Sequence, residues 1–151
     1  MELKFQRLTK HNLESVLEIE KLSFKNPWNK EMFEKEITLE ISNFFVAEIS
    51  EKIVGYGGFW KMGEEADIVN IAVHPDFRSK GLGKKILEFI LESAKKDGIK
   101  KVFLEVRSQN TSAQSLYKSF GFKPVAVRPK YYSNDDAVIM EIKIGTVVLA
   151  Q

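Results

Sequence analysis

Polar and apolar residues alternate from Glu2 to Leu8, the period of a strand with one buried face. After Thr9, read as an N-cap, Leu13, Val16, Leu17 and Glu20 fall on one side of a helix. Asn26-Pro27 interrupts the pattern, and Asn29 is placed to cap a second helix carrying Phe33 and Ile37. The apolar stretches 44–49 and 53–60 flank the polar Ser50-Glu51-Lys52, which predicts a hairpin. A turn near Gly63 leads into a strand over 66–73, Ala-Asp-Ile-Val-Asn-Ile-Ala-Val. Leu82, Ile86, Phe89, Ile90 and Ala94 then recur at i, i+4, i+7, i+8 and i+12, a single helical face closed by Gly98. Lys101–Arg107 reads as a strand, Thr111–Phe120 as a short helix ended by Gly121, and 122–129 and 137–144 as two final strands. The order predicts a mixed α/β sheet. With no repeat, linker or low-complexity segment, residues 1–151 read as one domain.

Composition narrows the chemistry. Lysine and arginine number 23 against 21 acids, a net charge of +2, so neither nucleic acid nor a membrane surface is the expected partner. The absence of cysteine excludes a disulfide framework, a thiolate metal site and a cysteine nucleophile. His11 and His74 are too far apart in sequence to have metal-ligand spacing, and no metal is expected. The first residues lack the apolar core of a signal peptide, and no apolar run approaches the roughly 20 residues that cross a bilayer. A cytoplasmic protein is the expectation, although no sequence address states it.

The segment Arg78-Ser-Lys-Gly-Leu-Gly-Lys-Lys85 lies between a hydrophobic strand and an amphipathic helix. Glycines there let backbone N–H groups turn towards an anion, and the following helix adds its positive N-terminal end. Lys80, Lys84 and Lys85 add charge, so a pyrophosphate is a natural ligand. Walker spacing is missing, as is the third glycine of a dinucleotide fingerprint. Spacing alone also allows a plain glycine turn with solvated lysines.

Arg78, Gly81 and Gly83 in the pattern Arg-x-x-Gly-x-Gly, directly after Asn70-Ile-Ala-Val-His-Pro75, resemble the acetyl-CoA motif of the GNAT acetyltransferases. Leu104-Glu-Val-Arg-Ser-Gln-Asn110, Ala113 and Leu116-Tyr-Lys-Ser-Phe-Gly-Phe122 are similar to the second half of that signature. Phe24-Lys-Asn-Pro-Trp28, Tyr131-Tyr132 and Asp136-Ala-Val-Ile-Met140 resemble the branch that acetylates protein N-termini. The resemblance spans about residues 3 to 142. It implies a central sheet of six to seven mostly antiparallel strands with about four helices, splayed where acetyl-CoA binds.

The resemblance also implies roles. Ile71, Ala72 and Val73 hydrogen-bond the pantetheine arm by their backbone, with the Val73 N–H polarising the thioester carbonyl. Arg78, Ser79, Lys80, Gly81, Leu82, Gly83 and Lys84 hold the pyrophosphate, and the Asn110 amide fixes the cofactor arm unless it merely caps a helix. Tyr117 is the expected general acid, its phenol protonated at neutral pH. Glu105 is the expected base, on the premise that burial in an apolar strand raises its pKa; a solvated glutamate paired with Arg107 or Lys101 is the alternative. Glu65 and Asp67 are rival bases. Pro27, Trp28, Tyr131 and Tyr132 frame a peptide entry, Trp28 alternatively being a core plug. Asp135 and Asp136 attract a basic peptide segment or simply form a turn.

An α-amino group, with pKa about 7.7–8.0, is neutral far more often at pH 7 than lysine near 10.4, which favours an N-terminal substrate. The expectation is direct transfer from acetyl-CoA to a protein N-terminus in a ternary complex, and the resemblance implies the N-terminal alanine of a small-subunit ribosomal protein as the foremost target. The alternatives are acetylation of a small amine or lysine side chain, or a non-catalytic coenzyme A-binding or interaction module. A monomer or weak dimer is expected.

Overall fold

The structure is a computed structural model that describes residues 2–132 and 134–145, without the side chain of Tyr132. Its strands are β1 (Leu3–Arg7), β2 (Ser42–Ile49), β3 (Lys52–Met62), β4 (Glu65–Val73), β5 (Lys101–Arg107), β6 (Lys123–Tyr132) and β7 (Asp135–Lys143). Its helices are α1 (Leu13–Ser23), α2 (Lys30–Thr38), α3 (Leu82–Lys96) and α4 (Thr111–Phe120), with a short 3-10 turn at Pro75–Phe77. The strands form one sheet in the order β1-β2-β3-β4-β5-β7-β6. Every pairing is antiparallel except β4 with β5. The mixed, mostly antiparallel sheet with four α-helices is the architecture expected from the sequence.

Helix α3 packs on one face of the sheet through Leu82, Ile86, Leu87, Ile90 and Ala94, all buried. Its close approach depends on glycines in β3. A Cβ at Gly55 would lie 2.7 Å from Ile86 Cδ1, and one at Gly57 would lie 2.7 Å from Ile90 Cδ1. The opposite face carries α1 and α2, which bury Leu13, Val16, Ile19 and Phe33 against Phe44, Val46 and Tyr56. Each fully buried Leu, Ile or Phe contributes about 1.5–3 kcal/mol by leaving water. Buried Glu36 anchors α2, its Oε1 accepting from Ser42 Oγ and Trp60 Nε1, each at 2.7 Å.

Capping decides several boundaries. Asn29 caps α2 by accepting the Met32 N–H at 3.0 Å. Gly98 and Gly121 follow α3 and α4 with φ of 84° and 106°, the left-handed stop that glycine allows. The β2–β3 hairpin turns on Ser50 and Glu51 alone, both at positive φ, while Lys52 already belongs to β3.

Two boundaries differ from expectation. Thr9 does not cap α1; the helix begins at Leu13 after Asn12. The Asn12 side chain instead closes the β1–α1 turn, accepting the Thr9 N–H at 2.9 Å and donating to the Arg7 carbonyl at 3.2 Å. The stretch between the expected strands 122–129 and 137–144 is mostly strand as well: β6 runs on to Tyr132 and β7 starts at Asp135. β6 is the edge of the sheet, where prolines such as Pro124 and Pro129 are tolerated.

Gly58 tests the tolerance of the second core. A Cβ there would sit 2.4 Å from Cγ of Phe44. Gly58→Ala is expected to cost roughly 1–3 kcal/mol through overpacking. Thermal melts of the variant should show a fall of several degrees in Tm; an unchanged Tm would contradict the packing.

Candidate active site

The site begins with a pairing that stops. β4 and β5 pair only over Glu65–Asp67 and Lys101–Phe103. Beyond Asp67, β4 still pairs with β3, but a bulge between Gly58 and Phe59 shifts its register. A gap therefore opens between β4 and β5. The His74 N–H donates to Val54 O at 2.8 Å, towards β3. Because groups two residues apart point to the same side, the N–H groups of Ile71 and Val73 point the other way, into the gap. Ala72, which the sequence grouped with them, turns its backbone to β3 and its side chain into the core.

At the end of β4 the chain turns through Ser79 (φ 64°) and Gly81 (φ 77°) into α3. Lys85 N–H makes the first helical bond, to Gly81 O at 3.2 Å. The N–H groups of residues 79 to 84 have no acceptor among the described residues. Such a run of free donors at a helix N-terminus is an anion cradle. Gly83 keeps it open, since a Cβ there would meet nothing nearer than Val73 Cγ2 at 3.9 Å. Lys80 and Lys84 are exposed at the rim, whereas the Leu82 side chain is core and presents only its backbone. The Arg78 side chain is turned to the protein, donating to Val73 O and to Ser23 Oγ, each at 3.0 Å. It fastens the end of β4 to the end of α1.

Two sequence-predicted catalytic groups come from the elements after the gap. Tyr117 on α4 is partly buried, edge-on to Phe122 with ring centroids 5.8 Å apart. Desolvation by burial raises its phenol pKa above the ordinary 10. Glu105 lies two residues past Phe103, the last β5 residue paired with β4. The premise that it is buried is incorrect: neighbours Leu104 and Val106 point to the core, and alternation turns Glu105 outwards. Its carboxylate lies 3.3 Å from the guanidinium of Arg128 on β6, a partner that neither sequence alternative named. Asp67 stands on the same sheet face, in register with Phe103. Burial first, and then the Glu65 charge, push its carboxyl above the usual range, with Arg128 partly opposing.

Asn110 is the N-cap of α4, accepting the Ala113 N–H at 3.1 Å. That is the plainer of its two readings, and it leaves the amide N–H₂ without a partner among the described residues. On the substrate side, Trp28 is partly buried and packs on Phe33 at 5.1 Å, largely a core contact, while Pro27 is exposed. Tyr131 is exposed beneath the Arg128 guanidinium at 5.5 Å. The Tyr132 side chain lies outside the described residues, as does the tail from residue 146. Asp135 accepts the Gln109 N–H at 2.9 Å and Asp136 the Lys130 N–H at 2.7 Å, so both acids fix the hairpin tip.

One cluster escaped the sequence reading. Glu20, 2% exposed, accepts from Tyr56 Oη and from Asn70 Nδ2 (3.0 Å) at Oε1, and from the Trp28 N–H (2.9 Å) at Oε2. Burial, followed by the Glu20 hydrogen bond and charge, raises the Tyr56 phenol far above its ordinary value, so it remains a donor. The signal was present: a glutamate on the apolar stripe of α1 needs a buried partner. Among the described residues no group of acids and histidines is placed to hold a metal ion, and no helix is long and apolar enough to cross a membrane.

The sequence profile of the acetyltransferase (GNAT) family matches residues 13–122. A Bacillus subtilis (strain 168) protein, provisionally named a ribosomal protein bS18-alanine N-acetyltransferase, is 36% identical over 137 residues, covering 89% of this chain and 91% of that one. The ribosomal protein bS18-alanine N-acetyltransferase of Escherichia coli (strain K12) is 31% identical over 138 residues, covering 89% and 93%. The crystal structure of the ribosomal-protein-S18-alanine N-acetyltransferase from Escherichia coli superposes with a TM-score of 0.90 at 30% identity, covering 95% of each chain. That of Ard1 from Thermoplasma volcanium has a TM-score of 0.86 at 26% identity, covering 95% and 99%.

Asp67 supplies a pH test. A carboxyl whose folded pKa lies above its unfolded value near 3.9 binds its proton more tightly in the folded state, so stability falls as pH rises through that window. Asp67→Asn is therefore expected to raise Tm at pH 7 and to lose its advantage below about pH 4. Melts of both proteins from pH 3 to 7 check this; a variant less stable at pH 7 would show that Asp67 is net favourable as an ion.

Proposed function

The chain belongs to the acetyltransferase (GNAT) family, and from that membership we propose that it acetylates protein N-terminal amines, first among them the N-terminal alanine of a small-subunit ribosomal protein. The family uses acetyl-CoA as acetyl donor, and the chain is an acyltransferase of that kind. Two relatives named for acetylation of the bS18 alanine, matched over nine-tenths of their length, support the substrate.

The observation that carries the reading is the gap between β4 and β5 with the free N–H groups of residues 79 to 84 at its end. Those donors fit a pyrophosphate, and the open edge of β4 fits the amide-bearing arm of the cosubstrate as an added strand would. Acetyl-CoA supplies an activated thioester. The Val73 N–H, aimed into the gap, stabilises negative charge on the thioester oxygen as the amine attacks. Exposure of Glu105 gives it water, through which it takes the proton that the amine loses when the C–N bond forms. Arg128 lies 3.3 Å from that carboxylate and holds it in place on the open sheet face. When the C–S bond breaks, Tyr117 donates its proton to the departing sulfur. Its raised pKa keeps that proton in place throughout the neutral range. With no cysteine, no cysteinyl acyl-enzyme forms, and transfer within a ternary complex is the simplest course.

On the substrate side, Pro27 and Tyr131 are exposed to meet a peptide, and Tyr131 offers a rigid ring with a polar end. Asp135 and Asp136 each hold a backbone N–H and so have a structural task at the hairpin tip. Glu65, Asp67 and Glu105 line up near the parting of the strands and give that face a negative charge suited to an amine.

Three peptides with acetyl-CoA test the reading by mass and site of acetylation: a free N-terminal alanine, a free N-terminal methionine, and a blocked N-terminus with an internal lysine. The alanine peptide is expected to react fastest; exclusive modification of the lysine peptide would overturn the N-terminal assignment. Tyr117→Phe and Glu105→Gln should each lower kcat by about 10²–10⁴-fold with the fold intact, and unaffected turnover would remove them from the chemistry.

Gly83→Ala separates binding from folding. Its Cβ has room in the protein and suits a helix by up to about 1 kcal/mol better than glycine. The expected outcome is an equal or higher Tm with acetyl-CoA affinity in calorimetry about tenfold weaker. Undiminished affinity would refute the cradle.

A further inference from the structure

Glu20 joins the two halves of the site. Its Oε2 accepts the N–H of Trp28, the last residue before Asn29, which caps α2. The carboxylate therefore fixes where the substrate-side segment 24–28 runs. Its Oε1 accepts from Asn70 on β4 and from Tyr56 on β3. Asn70 directly follows the register shift by which β4 leaves β5, and directly precedes Ile71–Val73, whose backbone lines the gap. Asn70 Nδ2 also lies 3.3 Å from Tyr56 Oη, which closes the network.

Burying a carboxylate for stability alone is a poor bargain, because well-packed apolar groups of similar volume hold a core as well or better. Here the donors come from three separate segments and converge on one ionisable group that is 2% exposed. A movement of β4 displaces Asn70, Asn70 displaces the carboxylate, and the carboxylate pulls the Trp28 N–H. No apolar contact between these segments has comparable directionality.

We propose that Glu20 is a positioning residue that couples the acetyl-CoA strand to the substrate-side segment, so that filling the gap beside β4 tightens the backbone at Trp28. Glu20 touches neither substrate; it acts through Asn70 and through the Trp28 N–H. The inference rests on the acetyltransferase reading for what fills the gap, while the network itself does not.

The test is amide hydrogen exchange at Trp28, measured with and without coenzyme A in the wild-type chain, Glu20→Gln and Asn70→Ala. Coenzyme A should slow exchange at Trp28 about tenfold in the wild type, the scale of one charge-assisted hydrogen bond. Glu20→Gln keeps the size of the side chain but offers an amide where Oε2 was, so protection should vanish while coenzyme A still binds. Asn70→Ala leaves the Glu20 bonds to Trp28 and Tyr56 and cuts only the link to β4. It should abolish the protection too, and should raise the peptide KM more than it lowers kcat. Equal protection by coenzyme A in all three proteins, or none in the wild type when coenzyme A binds, would overturn the proposal. If Glu20→Gln fails to fold, the comparison of wild type with Asn70→Ala decides it. Failure of the wild type to bind coenzyme A would instead fell the acetyltransferase reading. The coupling would then stand or fall on whether Asn70→Ala alone speeds exchange at Trp28 about tenfold.

Discussion

A parallel pair of strands that stops pairing after three residues organises this molecule. Backbone N–H and C=O groups in the middle of a sheet are normally satisfied by a neighbour. Beyond Asp67 and Phe103 the neighbours diverge, and the edge of β4 is left facing a gap. The bulge opposite Gly58 bends β4 away, and the turn through Ser79 and Gly81 brings α3 back beneath it with its first donors free. Gly55 and Gly57 let α3 lie close enough to β3 to hold that arrangement. The proposed cofactor side is therefore built of backbone, whose geometry follows from pairing and from φ rather than from particular side chains.

The other half of the site is built of side chains, and its acids are assigned by surroundings. Glu20 and Glu36 are buried and fully occupied by donors, so they anchor α1 and α2 to the sheet. Asp135 and Asp136 bind backbone N–H groups and shape the β6–β7 tip. Glu105 and Asp67 remain on the open sheet face near the gap, where Arg128 pairs with Glu105 and its charge also acts on Asp67. A base that works through water needs access to it, and Glu105 has that access because it is not buried. The burial on which the sequence expectation rested is absent at this position.

Most of the fold was legible in the chain. The period of α3, the alternation of β1, the Asn29 cap and the glycine stops at Gly98 and Gly121 are local devices, and each appears where the sequence puts it. The failures share a cause. Thr9 was misread because Asn12 preferred a turn with Arg7 and Thr9, and the β6–β7 tip because only sheet order reveals which strand is an edge. Glu105 was misread because the apolar run Val102-Phe-Leu-Glu-Val does not say which face of β5 is covered.

The sequence by itself determined the family, the sheet-and-helix order, the phosphate-type loop and the exclusion of cysteine chemistry, since motif spacing, periodicity and composition are properties of the chain alone. Tertiary structure alone decided that β4 parts from β5, that Arg78 faces Ser23 and Val73, that Arg128 meets Glu105, and that Glu20 gathers Trp28, Tyr56 and Asn70. Those contacts join residues as far as 55 positions apart. No local pattern encodes them, because a side chain finds its distant partner only once the sheet has set the distance and burial has made an unpaired charge costly.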